Sequence, residues 1–241
     1  MAPDTTERTE TDAEEPPADP SVDPSMLDTD AAARGTVYAL SASAVEHPTD
    51  ELYDALAGGA LRARFEELLS RTPLDVSVEG VQTTDDYETL AARYNDLFVI
   101  GYSEYEDRTD GTLSTDEPPV PLYETAYRPE ASWTDVNLDL ARAYDYYDVR
   151  PAADDRDHHD HLRLQLEFAG YLGRREAASD GADAARSRLD LLDRHLRPTI
   201  EGVRERIDDE PNTGVYGRFV RLIDEFTAAE RAELVDRLEG E

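Results

Sequence analysis

Residues 158–177, HHDHLRLQLEFAGYLGRREA, carry the strongest fold signal in the chain. Apolar residues recur there every three or four positions, which is the period of an α-helix. They form two adjacent stripes, one of Leu162, Leu166 and Ala169 and one of His161, Leu164 and Phe168. A helix that is apolar over so wide an arc usually lies at the centre of a bundle. The pattern therefore predicts a central helix in an all-α protein.

The helical period continues through most of residues 26–241. Helices are predicted at about 30–45, 50–57, 60–71, 86–100, 132–146, 158–177, 182–196, 198–207, 213–226 and 228–238. Residues 119–127 are expected to form a short helix or turn, and residues 74–81 a loop. The predicted fold is a single-domain bundle of about nine to eleven helices.

Residues 1–25 differ in composition from the rest of the chain. They contain five Pro, eight acidic residues and almost no large apolar side chain. Burial of such a segment cannot offset the entropy lost on ordering it. A disordered acidic tail is expected at residues 1–25, followed by a folded domain at residues 26–241.

The charge of the chain excludes several classes of function. The 241 residues include 56 Asp and Glu against 24 basic residues, all of them Arg, for a net charge of −32. A polyanion such as nucleic acid would be repelled. There is no long apolar run and no basic, apolar leader, so neither membrane insertion nor secretion is expected. With no Cys in the chain, thiolate chemistry is absent, and a cytoplasmic protein is the simplest interpretation.

A surface this acidic is typical of a protein that works in molar salt. At about 1 M salt the Debye length is about 3 Å, so the repulsion between like charges is screened. We therefore interpret the acidic runs as a halophilic, solvated surface.

Three imidazoles lie together at His158, His159 and His161 and invite a metal-site interpretation. Imidazoles with neighbouring carboxylates can bind zinc. However, helical zinc pairs favour an i, i+4 spacing, which this run lacks, and no distant third ligand is evident. A metal-dependent helical hydrolase using these three residues remains one alternative at this point. A second alternative is an acidic adaptor protein, built on the same helical bundle, that is not a chaperone.

Four segments of the chain form a recognisable set, namely YNDLF at residues 94–98, VPLYETAY at 120–127, DHLRLQLEF at 160–168, and HLRP at 195–198 followed by VYGRF at 215–219. Together they resemble the TorD/DmsD/NarJ family of cytoplasmic chaperones for molybdoenzymes. Their order and spacing are similar to those of the family over residues 30–235. The chain departs from the family pattern at Asp157-His158, where the family usually has Glu-Pro. It also departs at Gln165, Ala169 and Thr199, where the family usually has Glu, Met and Trp.

The resemblance implies an all-helical chaperone with no enzymatic activity and no cofactor or metal. Such proteins bind the catalytic subunit of a molybdopterin oxidoreductase, often through its twin-arginine leader, until its cofactor is inserted. A monomer or a helix-swapped dimer is expected.

The resemblance also implies where the client would bind. An apolar leader helix would lie in an aromatic-lined groove, and its arginines would meet carboxylates. Asp160 and His161, at the start of the predicted helix, are expected to stay accessible as the polar end of the site. The apolar wall is expected to comprise Tyr94, Leu97, Phe98, Pro121, Leu122 and Tyr123. The carboxylates are expected to be Glu124, Asp157, Asp160 and Glu167.

Overall fold

The computed structural model describes residues 27–99, 118–152, 158–178 and 182–240, and these residues are helical apart from their connections. The helices are α1 (Thr29–Ala44), α2 (Asp50–Ala57), α3 (Ala60–Leu69), α4 (Tyr87–Phe98), α5 (Trp133–Tyr146), α6 (Leu162–Ala178), α7 (Ala182–Leu191), α8 (Arg197–Asp209) and α9 (Gly214–Glu239). A 3₁₀ turn occupies Glu124–Ala126, and a π-helical turn at Leu192–Leu196 joins α7 to α8. The predicted all-α fold is confirmed.

The described residues hold slightly fewer separate helices than predicted. Because α7, the π-helical turn and α8 run on without a break, the described chain has eight separate helical rods. The last two predicted helices are also one helix, α9. Thr227, at the predicted break, is fully buried, and its hydroxyl donates to the carbonyl of Ile223 at 2.7 Å. Burial and this i−4 bond let a β-branched polar residue continue the helix.

Side-chain caps explain why several helices begin where they do. The carboxylate of Asp28 accepts hydrogen bonds from the N–H groups of Asp30 and Ala31 at the start of α1. Thr49 caps α2 in the same way, and Asp86 caps α4. Such caps satisfy amide donors that have no partner inside the helix.

Helix α6 is central, as predicted, and its closest packing is against α1. The two backbones approach at glycines: a Cβ on Gly35 would lie 2.9 Å from the carbonyl oxygen of Gly170, and one on Gly173 would lie 2.8 Å from Cα of Gly35. Only glycine permits this separation. The apolar stripes of α6 are buried in the core that this crossing organises.

A buried ion cluster lies where α1, α6, α7 and α9 meet. Arg188 is fully buried, and its guanidinium lies 2.6 Å from Glu176 and 3.0 Å from Glu230, although its N–H groups are not aligned as hydrogen bonds. The Tyr38 hydroxyl donates to Glu230, and Arg34 pairs with Asp30 at 2.6 Å. Buried charges require such compensation, and here the compensating groups come from all four helices.

None of the helices in the described ranges is long and apolar enough to cross a membrane. Residues 74–81 form the predicted loop. The tail predicted at residues 1–25 lies outside the described residues, as does Asp157.

Candidate functional site

An isolated antiparallel β-bridge between Tyr123 and His161 joins the 3₁₀ turn to the start of α6. Beside the bridge, the N–H of Glu124 donates to the carbonyl of Asp160 at 3.0 Å. This pairing brings the segment at residues 120–127 into contact with the segment at residues 160–168, which the linear sequence separates by more than thirty positions.

The bridge also determines where α6 begins. The N–H of Leu162 donates to the carbonyl of Leu122 at 2.8 Å, so it serves the bridge instead of the preceding helical turn. The helix therefore begins at Leu162, and the prediction that it begins at His158 is wrong.

Asp160 is fully buried beneath the bridge. Its Oδ2 accepts hydrogen bonds from the hydroxyl of Thr125 at 2.8 Å and from the N–H of the same residue at 3.3 Å. Its own N–H donates to Oδ1 of Asn137 on α5 at 3.2 Å. The expectation that Asp160 stays accessible is therefore wrong, because the carboxylate holds the 3₁₀ turn against α6. Its Oδ1 has no hydrogen-bond partner among the described residues.

Glu124 is the centre of a second buried polar group. Arg128 donates to its Oε1 at 2.6 Å, and the side-chain amide of Gln165 donates to Oε2 at 2.9 Å. Nδ1 of His195 lies 3.0 Å from the same Oε2. Because Glu124 is fully buried, its charge acts on these neighbours and not on solvent.

His195 extends this group to α5. Its Nε2 lies 3.0 Å from Oδ2 of Asp139, so the imidazole, which is 6% exposed, bridges two carboxylates. Gln165 belongs to the third resembling segment, Glu124 to the second and His195 to the fourth. The three segments therefore meet in one network, which we call the Glu124–His195 network.

The π-helical turn that presents His195 is explained by a proline. Pro198 has no N–H, so the carbonyl of Arg194, four residues earlier, lacks its helical donor. Arg128 donates to that carbonyl at 3.0 Å. A π turn accommodates the missing bond, and the arginine that fills the vacancy is the one that pairs with Glu124.

Exposed rings lie on the outside of the bridge. Tyr123 is 38% exposed, and its ring is 4.9 Å from that of His161 and 5.5 Å from that of His158, in edge-to-face geometry. Trp133, which is 49% exposed, lies 6.4 Å from His158. We call these four side chains the bridge surface. Large apolar rings held at a solvent boundary are characteristic of binding surfaces.

Charge beside the bridge surface is unbalanced. The guanidinium of Arg163 pairs with Glu46 at 3.2 Å and with Glu167 at 2.8 Å. The backbone N–H of the same residue donates to Nδ1 of His161 at 3.1 Å. Both carboxylates are about half exposed. Among the described residues, two carboxylates thus share this arginine, and these three side chains together carry a net negative charge that an incoming cation could approach.

The expected apolar wall is mostly core. Leu97, Phe98 and Leu122 are buried, and so is Pro121. The hydroxyl of Tyr94 donates to the carbonyl of Val45 at 3.1 Å, and burial raises the pKa of this phenol to about 12. Of the predicted wall, only the ring of Tyr123 is exposed to a partner.

The three clustered imidazoles have different neighbours. His158 faces Tyr123 and Trp133, His159 lies 5.7 Å from the ring of Tyr144, and His161 contacts Tyr123. Within the described ranges no group of three or more His, Cys, Asp or Glu side chains is placed to hold a metal ion.

Several residues of the site were missed by sequence reasoning. Glu46, Arg128 and Asp139 were not predicted, and His195 was identified only as part of the fourth resembling segment, with no role at the site. The i, i+4 spacing of Glu124 and Arg128 is a recognisable pairing signal. The others come from distant parts of the chain, and pairwise spacing does not detect such contacts.

The region of the chain that carries this site matches a known protein family. Residues 42–202 match the family described as "Nitrate reductase delta subunit", and this range includes both buried polar groups and the bridge surface. The selenate reductase assembly chaperone protein of Thauera selenatis is 33% identical over 153 residues, which cover 61% of this chain and 72% of that protein. The chlorate reductase assembly chaperone protein of Ideonella dechloratans is 32% identical over 155 residues, covering 62% and 72%.

A solved structure shares the fold. A crystal structure described as a redox enzyme maturation protein from Archaeoglobus fulgidus superposes with a TM-score of 0.50 at 17% identity. The superposition covers 81% of this chain and 93% of that one. At this identity the likeness shows the fold alone.

Proposed function

Because the chain belongs to the nitrate reductase delta subunit family, we propose that it is a maturation chaperone for a molybdopterin oxidoreductase. It binds the catalytic subunit in the cytoplasm until the cofactor is inserted, and it has no catalytic activity of its own. The curated relatives, which are named as assembly chaperones of selenate and chlorate reductases, support this proposal.

The observation that carries the proposal is the bridge surface. Tyr123 and Trp133 are two of the few large apolar side chains that the described residues leave exposed. Their backbones are anchored by the bridge and by α5, so little side-chain or loop entropy is lost when a partner binds. A partner with an apolar helix can pack its side chains on these rings.

The neighbouring charge favours a leader that carries arginines. Glu46 and Glu167 share Arg163, and a guanidinium pair on the leader would supply the missing positive charge with bidentate geometry. In molar salt long-range attraction is screened, so contact with the rings contributes most of the affinity.

The test measures capture of a molybdopterin oxidoreductase catalytic subunit co-expressed with the chain, and of its synthetic leader peptide, in multimolar KCl. We expect the Tyr123→Ala/Trp133→Ala double variant to bind at least tenfold more weakly than the parent. The matched control is Leu138→Ala/Tyr146→Ala, which removes an aromatic and a second large apolar side chain, both exposed, from α5.

Three results would overturn the proposal. The first is that the parent captures neither the subunit nor the leader. The second is that the Tyr123→Ala/Trp133→Ala variant binds as tightly as the parent. The third is that both double variants lose affinity equally. Melting temperatures of all the variants show whether a loss of binding comes from unfolding. A leader with lysines in place of its arginines tests the contribution of Glu46 and Glu167.

A further inference from the structure

A second opening lies on the outer face of α6, between that helix and the turn after α5. It is a cavity of about 260 Å³ whose floor includes Leu164 and Phe168, which are 5% and 4% exposed. Arg150 and Arg174 lie at its rim, and Tyr171 forms part of the wall. We call it the arginine cleft. Its floor is apolar and its rim carries two arginines, although the chain as a whole has a net charge of −32.

Within the described residues, neither rim arginine has a carboxylate within 4.0 Å. Most arginines in the described ranges have a carboxylate within 4.0 Å, as expected where acidic residues outnumber basic ones. The exceptions, apart from Arg175, are Arg142, Arg150, Arg174, Arg206 and Arg218. Two of these are at the rim of the cleft, and Arg142 lines an adjoining cavity of about 450 Å³ that shares Phe168 with it.

Aromatic rings lie between the two cavities. Phe168 and Tyr171 are stacked with ring centroids 6.3 Å apart, and Tyr147 lies 5.9 Å from Phe168. The guanidinium of Arg175 lies 5.2 Å from the centre of the Tyr147 ring. This side of α6 therefore presents both arginines and aromatic rings. The arginines can pair directly with anions, and the rings can make apolar contacts.

The lining of the cleft also includes Glu167, whose carboxylate pairs with Arg163 at 2.8 Å. Among the lining residues, the one carboxylate is therefore already paired, and the two rim arginines supply the positive charge.

We propose that the arginine cleft binds an acidic peptide segment with one apolar side chain, supplied by the client subunit. The apolar side chain fills the cavity, and flanking carboxylates pair with Arg150 and Arg174. In molar salt such direct contacts persist although longer-range forces are screened. Only the source of the segment rests on the proposed function, since the chemistry of recognition comes from the cleft itself.

The probe is a fluorescent pentapeptide, Asp-Glu-Phe-Asp-Glu with blocked ends, titrated into the full chain in 1–3 M KCl. We expect the Arg150→Gln/Arg174→Gln variant to bind it at least tenfold more weakly. The Arg206→Gln/Arg218→Gln variant removes two other exposed arginines, for which the described residues supply no carboxylate within 4.0 Å. It should bind within twofold of the parent. The amide analogue Asn-Gln-Phe-Asn-Gln should bind at least tenfold more weakly than the acidic peptide.

The inference fails if the acidic and amide peptides bind equally, or if neutralising Arg150 and Arg174 leaves affinity unchanged. It also fails if binding appears only after residues 1–25 are removed and a peptide of those residues competes for the cleft, because the occupant is then this chain itself.

Capture of the client separates this inference from the proposed function. If Tyr123→Ala/Trp133→Ala weakens capture and Arg150→Gln/Arg174→Gln does not, the chaperone role stands and the inference falls. If the acidic peptide binds as expected while the parent captures no oxidoreductase subunit, the cleft stands as an acidic-peptide site and the chaperone role falls.

Discussion

Nδ1 of His195 lies 3.0 Å from Oε2 of Glu124, a residue 71 positions earlier in the chain. The same carboxylate accepts hydrogen bonds from Arg128 and Gln165. One buried group thus connects the 3₁₀ turn, α6 and the π-helical turn, and it supports the bridge surface from beneath. Because of these contacts, we expect the Glu124 side chain to contribute to the stability of the fold and not directly to binding of a partner.

We therefore expect Glu124→Gln to lower the free energy of unfolding by about 3 kcal/mol, because a buried charge-paired group loses one partner. The matched control is Glu130→Gln. Glu130 lies 3.7 Å from the same Arg128 but its side chain is 71% exposed, so its removal should change stability by less than about 0.5 kcal/mol. Urea unfolding in high salt measures both values, and equal losses would show that burial does not decide the effect.

Substitutions of Asp160 can show whether its carboxylate stabilises the fold or binds the leader. Asp160→Asn keeps an acceptor for Thr125 and removes a buried charge whose Oδ1 has no hydrogen-bond partner, so stability should change by less than about 1 kcal/mol. Asp160→Ala leaves the Thr125 donors unmatched and should cost about 1–3 kcal/mol. Thermal melts read the stability, and leader affinity should follow it. A loss of affinity in a fully stable Asp160→Asn variant would contradict this structural role.

The crossing of α1 and α6 should be intolerant of a single methyl group. Gly35→Ala places a Cβ 2.9 Å from backbone atoms of α6, and separating the helices should cost about 1–3 kcal/mol. Gly240→Ala, near the end of the described chain and 3.2 Å from its nearest neighbour, is the control and should be close to neutral. Circular dichroism melts compare the two, and an unchanged Gly35→Ala variant would mean that the helices are less closely packed.

Stability should fall above pH 10 because tyrosines are buried. Burial raises the pKa of Tyr94 to about 12 and raises those of Tyr38, Tyr144 and Tyr216 as well. Between pH 10 and the folded-state pKa, the unfolded chain has lost these protons and the folded chain keeps them. The free energy of unfolding therefore falls as pH rises, by up to about 1.4 kcal/mol per pH unit for each tyrosine.

The chain has no Lys and no Cys, so no other common side chain titrates in that window. Urea midpoints from pH 8 to pH 11.5, with absorbance at 295 nm, test the slope. Tyr94→Phe should make it shallower, and a slope independent of this residue would rule out its contribution.

Salt should stabilise the fold. With a net charge of −32, dilution to about 0.01 M salt extends the Debye length to about 30 Å and lets carboxylates repel one another across the domain. Melting temperatures should rise steeply between that salt concentration and multimolar KCl. A melting temperature that does not depend on salt would contradict the halophilic interpretation.

The amino-acid sequence by itself determined the fold class and most of the helices. The ends of α2 match the predicted residues, and the apolar stripes of α6 lie in the core. Helical period and caps are local properties, since they depend on neighbours within one or two turns. For the same reason the loop at residues 74–81 could be predicted from a short stretch alone.

Only the tertiary structure decided which site residues face solvent. Asp160 and Glu124 read as accessible carboxylates in the linear sequence, yet both are fully buried, while Trp133 and Glu46 lie beside the exposed bridge. The difference arises because burial and pairing depend on contacts between segments tens of residues apart, and the β-bridge between Tyr123 and His161 creates those contacts. A residue's type and spacing determine what it can bond, but the packing of distant segments determines whether it meets a partner or the solvent.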